Sequence, residues 1–296
     1  MNSVVSYPDR GAYGNNLYRG NCSGHLIEDI IKQYRLNSLS DYMVGGGTTE
    51  DVCQHLNVPG MYLDLNRGYD MLSMDIPERA QNIFWHPPYD DIVVYSDKMY
   101  KADDIISRYG FDPRVDDLSR CSSWDDFVRK MNYCCLKQYS ALEKGGRMFV
   151  LMGDVKKKGK LYSMLADIAK PGTLEQIIIK MQHNCVSDRN VYSSNRFVRI
   201  EHEYLMVLHK ENALYYQVSL PVTKTFDMRD SKCTTWRDVV SAIIEENGPM
   251  TLEQLYNAME GHKKCEGNPH WKEKIRQTLY INRFERTAEN CWRIAS

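Results

Sequence analysis

The chain has 296 residues, of which 43% are hydrophobic and 26% charged, and its formal net charge is −1. Such a chain has room for two domains of a soluble globular protein, has no apolar run long enough to cross a bilayer, and must use local basic patches for any contact with nucleic acid. Nine cysteines without a CxxC pair and a start without a signal pattern predict reduced thiols, a cytoplasmic location and no metal site.

Residues 1–212 alternate helix-like and strand-like segments. A helix is predicted over residues 26–34, and the apolar residues Tyr42-Met43-Val44 predict a strand that leads into three glycines. The later predicted elements are a helix over 50–56, strands over 61–65 and 82–85, a helix over 124–142, a glycine turn at 145–146, a buried strand over 147–152, and a hairpin of strands 176–180 and 203–208. This alternation predicts an α/β domain with a mostly parallel sheet covered by helices.

The remaining sequence predicts a second, smaller domain. Residues 213–231 lack periodicity and include Pro221, which is typical of a linker. Within residues 232–296, apolar residues at helical spacing, a capping box at Thr251-Leu252-Glu253-Gln254 and a helix start at Asn268-Pro269 predict three helices. A two-stranded segment is predicted between residues 283 and 294. Three helices followed by such a hairpin predict a winged-helix domain.

The glycine triplet Gly45-Gly46-Gly47 lies between a predicted strand and a predicted helix. Glycines there let backbone amides approach a ligand, although a tight turn without a ligand is the alternative. The triplet lacks the third glycine of the dinucleotide fingerprint, and no Gly-Lys-Ser/Thr follows it. Asp64 ends the next strand, where a carboxylate is placed to hold ribose hydroxyls. The pattern favours a nucleoside ligand without a pyrophosphate.

A second notable segment is Phe84-Trp85-His86-Pro87-Pro88-Tyr89-Asp90. Two consecutive prolines fix φ twice and remove two backbone donors, so neither a helix nor a central strand continues through them. The segment therefore predicts the end of a strand and the start of a rigid loop.

These segments resemble motifs of one family. The stretch from Asp41 to Thr49, DYMVGGGTT, resembles the DPFMGSGTT motif of S-adenosylmethionine-dependent DNA amino-methyltransferases, and His86-Pro87-Pro88-Tyr89 resembles their catalytic (D/N/S)PPY motif. Arg19-Gly20-Asn21 is similar to the upstream segment that completes their methionine pocket, and residues 203–210 resemble their last conserved strand. The resemblance covers roughly residues 17–210. Its motif order is that of the class whose target-recognition region lies C-terminal to the catalytic core.

The resemblance implies a Rossmann-like methyltransferase fold that ends in an antiparallel hairpin, and methyl transfer from S-adenosylmethionine to the exocyclic amino group of a flipped base in double-stranded DNA. His86 and a proline carbonyl would accept the amino N–H groups, Pro87 and Pro88 would hold that carbonyl in place, and Tyr89 would stack on the base. Histidine departs from the Asp, Asn or Ser of the motif. A neutral imidazole can accept a hydrogen bond and an imidazolium cannot, so we expect activity to fall as the pH drops through about 6 to 7.

Histidine at this position leaves the target base open. Adenine N6 is favoured, and cytosine N4 is the first alternative. An RNA methyltransferase and a DNA-binding regulator without turnover are further alternatives. The sequence also leaves open whether two copies cooperate and whether a restriction enzyme accompanies the protein.

The resemblance implies two sets of binding residues. The residues expected to bind the cofactor are Arg19, Gly20, Asn21, Asp41, Gly45, Gly46, Gly47, Thr48, Thr49, Asp64, Asn66 and Asp75, although a helix cap explains Asn66 and a surface acid explains Asp75 equally well. The residues expected to contact DNA are Lys263, Lys264, Lys272, Lys274 and Arg276 near the third C-terminal helix, and Arg189 and Arg196 in the polar loop of the hairpin. A solvated basic face is the alternative for the helix.

Overall fold

The computed structural model describes residues 1–183, 198–223, 234–281 and 284–295. The chain forms two compact units, residues 1–221 and 222–296, so the division falls within the predicted linker 213–231. Among the described residues, no helix combines the length and the apolar character that crossing a membrane requires.

The first unit contains a central sheet, two small strand pairs and helices. Its strands are β1 (Val4–Ser6), β2 (Ala80–Trp85), β3 (Leu142–Met152), β4 (Asp154–Lys157), β5 (Lys160–Ser163), β6 (Lys170–Pro171), β7 (Thr173–Met181), β8 (His202–His209) and β9 (Val218–Ser219). Its α-helices are α1 (Gly24–Tyr34), α2 (Thr48–His55), α3 (Ala102–Tyr109), α4 (Trp124–Ala141) and α5 (Met164–Asp167). Short 3-10 helices lie at Leu65–Arg67 and Leu118–Arg120.

The central sheet has the strand order β1-β7-β8-β3-β2. Beyond β2, single parallel bridges from Ser40 to Ile83 and from Asp41 to Tyr62 extend it. Strand β8 runs antiparallel to both of its neighbours, whereas the β1/β7 and β2/β3 pairs are parallel. The predicted fold class, α/β with a Rossmann-like, mostly parallel sheet that ends in an antiparallel hairpin, is confirmed.

Helices cover both faces of this sheet. Along β2, Ile83 and Trp85 pack in one core cluster with Phe127 of α4, whereas Phe84 packs in the other with Ile30 of α1 and Val52 of α2. Alternate residues of a strand point to opposite faces, so a strand buried on both sides is apolar at every position. This explains the continuous apolar runs of β3 and β8.

The strand predicted over 61–65 is reduced to one bridge at Tyr62, and the strand predicted over 42–44 was wrong, because these residues follow the bridges at Ser40 and Asp41 as a turn. The carboxylate of Asp41 accepts the N–H of Met43 at 3.0 Å, and that of Asp64 accepts the N–H of Asn66 at 3.0 Å, where the 3-10 helix begins. Side-chain acceptors that take backbone donors in this way compete with a strand ladder. The predicted turn at 145–146 was also wrong, because Gly145 and Gly146 lie inside β3 and pair with the backbone of Lys210.

The C-terminus of α4 is capped by a buried lysine. The ammonium group of Lys210, whose residue is 2% exposed, donates to the carbonyls of Tyr139 at 3.2 Å, Ser140 at 2.9 Å and Leu142 at 2.7 Å. The last carbonyls of a helix have no partner within the helix, and a cation there also suits the helix dipole. Lys210 therefore joins the end of α4 to the start of β3.

The second unit contains α6 (Trp236–Asn247), α7 (Leu252–Met259), α8 (Trp271–Ile281) and the antiparallel strands β10 (Phe284–Arg286) and β11 (Trp292–Ile294). Capping boxes begin α6 at Thr235 and α7 at Thr251, the latter as the sequence predicts. Its core contains Val240, Ile243, Leu255, Ile275, Leu279 and Trp292.

Candidate active site

The first unit contains an open pocket, whose empty volume of about 700 Å³ includes open solvent. The glycine loop contributes Gly45, and the proline loop contributes His86 and Pro88. Further sequence-predicted lining residues are Arg19, Gly20, Asn21 and Asp64. The two motifs, separated by about forty residues in the sequence, therefore open onto the same pocket.

Backbone conformation at two positions and close packing at the third explain why the loop contains three glycines. Gly45 and Gly47 have φ values of +52° and +89°, which favour glycine. A Cβ atom on Gly46 would lie 2.5 Å from Oδ1 of Asn21. The carbonyl of Gly46 also accepts the N–H of Asn15 at 2.8 Å. The loop is thus shaped by the segment that precedes α1.

Asp41 hydrogen-bonds to residues on both sides of the glycine loop and does not line the pocket. Its buried carboxylate accepts the hydroxyl of Thr49 at 2.6 Å and the N–H of Met43 at 3.0 Å. Burial raises the pKa of Asp41 to about 7. Of the other predicted cofactor residues, Gly46, Gly47, Thr48 and Thr49 also lie outside the pocket lining and form the loop and the first turn of α2.

Asp64 closes the glycine loop and faces the pocket. Its Oδ2 accepts the N–H of Gly45 at 2.8 Å, and its Oδ1 accepts the N–H of Asn66. Burial raises the pKa of Asp64, although these two hydrogen bonds oppose that effect. Each carboxylate oxygen has a second lone pair, so the group can still accept ligand hydroxyls. Asn66 itself does not line the pocket.

Apart from Asp64, the acidic residues that line the pocket are not the one that the sequence predicted. Asp75 is exposed and lies outside the lining, whereas Asp70 and Asp116 line the pocket. Burial, and then a hydrogen bond to Asp70, raise the pKa of Asp116. Asp117 also lines the pocket, and its Oδ2 accepts the N–H of Ser96 at 2.8 Å. No spacing rule links these acids to the motifs, so the sequence did not single them out.

Tyrosine rings form another part of the pocket wall. Tyr18, Tyr95 and Tyr100 line it, and the rings of Tyr18 and Tyr95 stack with centroids 5.5 Å apart. Burial raises the pKa of Tyr95 to about 12, so its hydroxyl remains protonated. Aromatic faces beside carboxylates suit a ligand that carries positive charge and a planar group. The chain has 20 tyrosines, and nothing in their spacing marked these three.

A chain of hydrogen bonds leads from the proline loop to the hairpin of β7 and β8. Nε2 of His86 lies 3.1 Å from the hydroxyl oxygen of Tyr89, and that hydroxyl donates to Oε1 of Glu203 at 2.8 Å. The ammonium group of Lys180 donates to Oε2 of Glu203 at 2.6 Å. Both members of this ion pair are buried, at 8% and 7% exposure. Sequence reasoning missed this pair because its two residues meet only when the strands are paired.

These hydrogen bonds determine which tautomer His86 adopts. Burial alone would raise the pKa of Glu203, but the charge of Lys180 and the hydrogen bonds from Lys180 and Tyr89 hold it below its usual range, so Glu203 is a carboxylate. The single hydroxyl proton of Tyr89 points to that carboxylate, and the tyrosine oxygen must therefore accept from Nε2–H of His86. Nδ1 is left as the acceptor, and it makes no hydrogen bond within the described part of the chain.

Burial lowers the pKa of His86 to about 4, with smaller contributions from nearby charges. The imidazole is therefore neutral throughout the physiological range. This value places the titration of His86 below the pH window of 6 to 7 expected from an unperturbed histidine, because the surrounding protein desolvates the partly buried ring.

Tyr89 and Pro87 lie outside the pocket lining. The ring of Tyr89 packs against Gly153, where a Cβ atom would lie 2.7 Å from Cε2 of that ring. Gly153 follows β3, so the proline loop rests on the end of the neighbouring strand.

The basic residues predicted to contact DNA lie at and before α8. The ammonium group of Lys272 lies 5.3 Å from the ring centre of Trp271, and Arg276 pairs with Glu273 at 3.1 Å. Lys263, Lys272, Lys274 and Arg276 are exposed, whereas Lys264 is partly buried over Trp236. Arg189 and Arg196 lie outside the described residues.

No protein-family model and no curated protein matches the sequence. The chain is similar to a solved structure from Thermus thermophilus, described as a candidate DNA modification methylase, with 13% identity over 66% of this chain and 58% of that chain and a TM-score of 0.28. TehB from Haemophilus influenzae has 10% identity over 63% of this chain and 62% of that chain, with a TM-score of 0.30. The glycopeptide N-methyltransferase MtfA in complex with S-adenosyl-L-homocysteine has 10% identity over 70% and 77%, with a TM-score of 0.27. The chain spans less than two thirds of the first two proteins, and likenesses at these scores assign no activity to it.

Proposed function

We propose that the protein is a methyltransferase that uses S-adenosylmethionine to methylate an exocyclic amino group of a base in double-stranded DNA. The observation that supports this most is the shared pocket, because the glycine loop and the histidine-led proline loop face the same space. A donor held by one loop can then meet an acceptor held by the other.

The donor set of the pocket fits this cofactor, which supplies an electrophilic methyl group on a sulfonium centre when it is bound. Asp64 retains acceptor lone pairs for ribose hydroxyls, and Arg19-Gly20-Asn21 would hold the methionine portion. Tyr18 and Tyr95 offer aromatic faces, and the acidic residues of the wall favour a ligand with cationic groups.

His86 would orient the amino group of the target base. The lone pair of such a group is delocalised into the ring, and acceptors that take its N–H bonds help to localise it on nitrogen. Nδ1 of His86 and a carbonyl of the Pro87-Pro88 pair would be those acceptors. A histidine with a pKa of about 4 is a weak base, so it would hold the amino group and not deprotonate it before transfer. The nitrogen becomes cationic and strongly acidic as it gains the methyl group, and it then releases its proton to solvent water.

The second unit would contact DNA as a winged-helix domain. The exposed basic residues of α8 suit phosphates and base edges in the major groove. Adenine N6 is our favoured target, with cytosine N4 as the alternative within the same chemistry.

Transfer of tritiated methyl groups to duplex DNA and to structured RNA tests the proposal. We expect incorporation into DNA that is lost in His86→Phe, which cannot accept a hydrogen bond, and retained in part by His86→Asn. His202→Asn on β8 is the matched control, because His202 does not line the pocket. Cofactor and DNA binding without any methylated product would refute the proposal in favour of a regulator, and transfer to RNA alone would reassign the substrate. Sequencing the product for modified bases identifies the base.

A further inference from the structure

A cationic hairpin follows β3 directly and lies beside the proline loop. Strands β4 and β5 pair antiparallel with Lys157 opposite Lys160, so Lys158-Gly159 forms a two-residue connection. The tip carries the sequence Lys156-Lys157-Lys158-Gly159-Lys160, and its residues 158–160 are exposed. None of the motifs that predict the pocket includes this segment.

Two contacts fix the hairpin to the proline loop. Gly153, the residue before β4, lies against the ring of Tyr89. Lys157 forms ion pairs with Asp90 and Asp91, the two residues after Tyr89. At about 3.3 Å per residue, the Cα atom of Lys157 lies within about 13 Å of Gly153. The hairpin and the proline loop are therefore parts of one connected surface.

The charges at the tip are not balanced by the neighbouring acids. Asp90 and Asp91 share the single ammonium group of Lys157, so one negative charge remains there, but the stretch from Lys156 to Lys160 has four lysines and therefore two more positive charges than these two acids neutralise. Lys158 and Lys160 have no carboxylate partner among the described residues. The ammonium group of Lys160 lies 4.7 Å from the ring centre of Tyr162, a contact that orients the cation without neutralising it.

The backbone of the turn gives no reason for a lysine. Lys158 and Gly159 have φ values of +48° and +80°. Positive φ at both central residues is the pattern of a type I′ turn, in which Asn-Gly is the preferred pair. Lysine tolerates this region less well than asparagine does. Its charge is therefore the property of Lys158 that calls for an explanation.

We propose that the hairpin of β4 and β5, through Lys158 and Lys160, binds phosphates of duplex DNA beside the base held at the proline loop. This inference rests on the proposed function. One phosphate occurs per 3.4 Å along each strand of DNA, so a reach of about 13 Å corresponds to about four base pairs. Contacts of this kind position the duplex and carry no sequence information.

The test compares the double variant Lys158→Asn, Lys160→Gln with the wild-type chain. Asparagine keeps the turn favourable, so the charges can be removed without unfolding the hairpin. The matched control is Lys32→Gln, Lys144→Gln. Lys32 is exposed at the end of α1, and Lys144 is exposed near the start of β3, at the end of the strand away from Gly153. Fluorescence anisotropy with a labelled mixed-sequence duplex gives the salt dependence of binding, and melting curves check the fold.

We expect the slope of log K against log salt to be smaller by about 1.8 in the hairpin variant, for two lost phosphate contacts, and unchanged in the control. Between about 50 and 200 mM salt, the wild-type chain would then lose about 12-fold more affinity than the variant. Equal slopes for the variant and the wild-type chain would overturn the inference, even if the wild-type chain methylates DNA. A reduced slope without any methyl transfer would support the hairpin contact and refute the proposed function. A wild-type chain that does not bind the duplex, or that prefers an RNA duplex of the same sequence, would overturn the inference as well.

Discussion

Replacement of Tyr89 by phenylalanine separates the roles of its ring and its hydroxyl. The ring can still pack on Gly153, but His86 loses the oxygen that accepts its Nε2–H, and Glu203 loses one of its donors. The ion pair between Glu203 and Lys180 remains. The variant therefore cuts the hydrogen-bond chain at a single atom.

The size of the effect follows from the bond that is lost. A hydrogen bond to a carboxylate contributes about 1.5 to 3 kcal/mol to stability. In a unit of this size that corresponds to a fall in Tm of between about 3 and 12 °C. If the same 1.5 to 3 kcal/mol is lost in the transition state, the rate falls by about 10- to 150-fold. We therefore expect Tyr89→Phe to slow single-turnover methyl transfer by that factor and to leave the Kd of the cofactor unchanged.

Nitrogen-15 NMR of the histidine rings provides a readout that loss of stability alone would not move. In the wild-type chain, we expect His86 to show a neutral ring protonated at Nε2. In Tyr89→Phe we expect a mixture of the two neutral tautomers. Tyr204→Phe is the matched control, since Tyr204 also lies next to a histidine, with its hydroxyl 2.8 Å from Nε2 of His202. The reasoning is refuted if Tyr89→Phe shows the wild-type tautomer, or if both variants slow transfer equally.

Further predictions concern acidity, the cofactor and the fold. Because the neutral form of His86 is the acceptor and its pKa is lowered to about 4, the ratio of single-turnover rates between the wild-type chain and His86→Asn, which both keep Asp41, should stay flat from pH 8 to about 5 and fall as the pH approaches 4; a fall of this ratio centred near 6.5 would contradict this. Asp64→Asn removes the charge that faces the pocket and should weaken cofactor binding by about 10- to 100-fold in calorimetry, and an unchanged Kd would exclude the ribose role. Lys210→Met leaves three carbonyls short of a donor and should lower the free energy of unfolding by about 2 to 4 kcal/mol in urea titrations, whereas the exposed Lys144→Met should change it by less than about 0.5 kcal/mol.

The sequence predicted the α/β class and the two loops that meet at the pocket because both depend on local patterns. Apolar runs mark strands buried on two faces, and glycine and proline restrict the backbone wherever they occur. Where side chains competed for backbone donors, as at Asp41 and Asp64, the predicted strands were replaced by a turn or shortened to a bridge.

The remainder of the site depends on distant pairings that periodicity does not encode. Glu203 and Lys180 meet through the register of the hairpin, and Asp70 and Asp116 meet through loops. The lowered pKa of His86 could not be predicted from the sequence for the same reason, since burial is a property of the folded chain. The lysine-rich turn was missed for another reason. Lys158-Gly159 is a local turn signal, but the four-residue strands on either side of it are too short to show the alternation that predicts a hairpin.

Strand β8 is the last strand of the central sheet in the sequence, yet it lies in the middle of that sheet. The bond from Tyr89 to Glu203 spans 114 positions, so a nascent chain contains both loops of the pocket well before it contains the strand that fixes the histidine. Contacts between distant residues form late, because closing a long loop costs entropy first. A chain that stops before residue 203 therefore contains both loops of the pocket but lacks the middle strand of the sheet and the carboxylate that orients His86 through Tyr89.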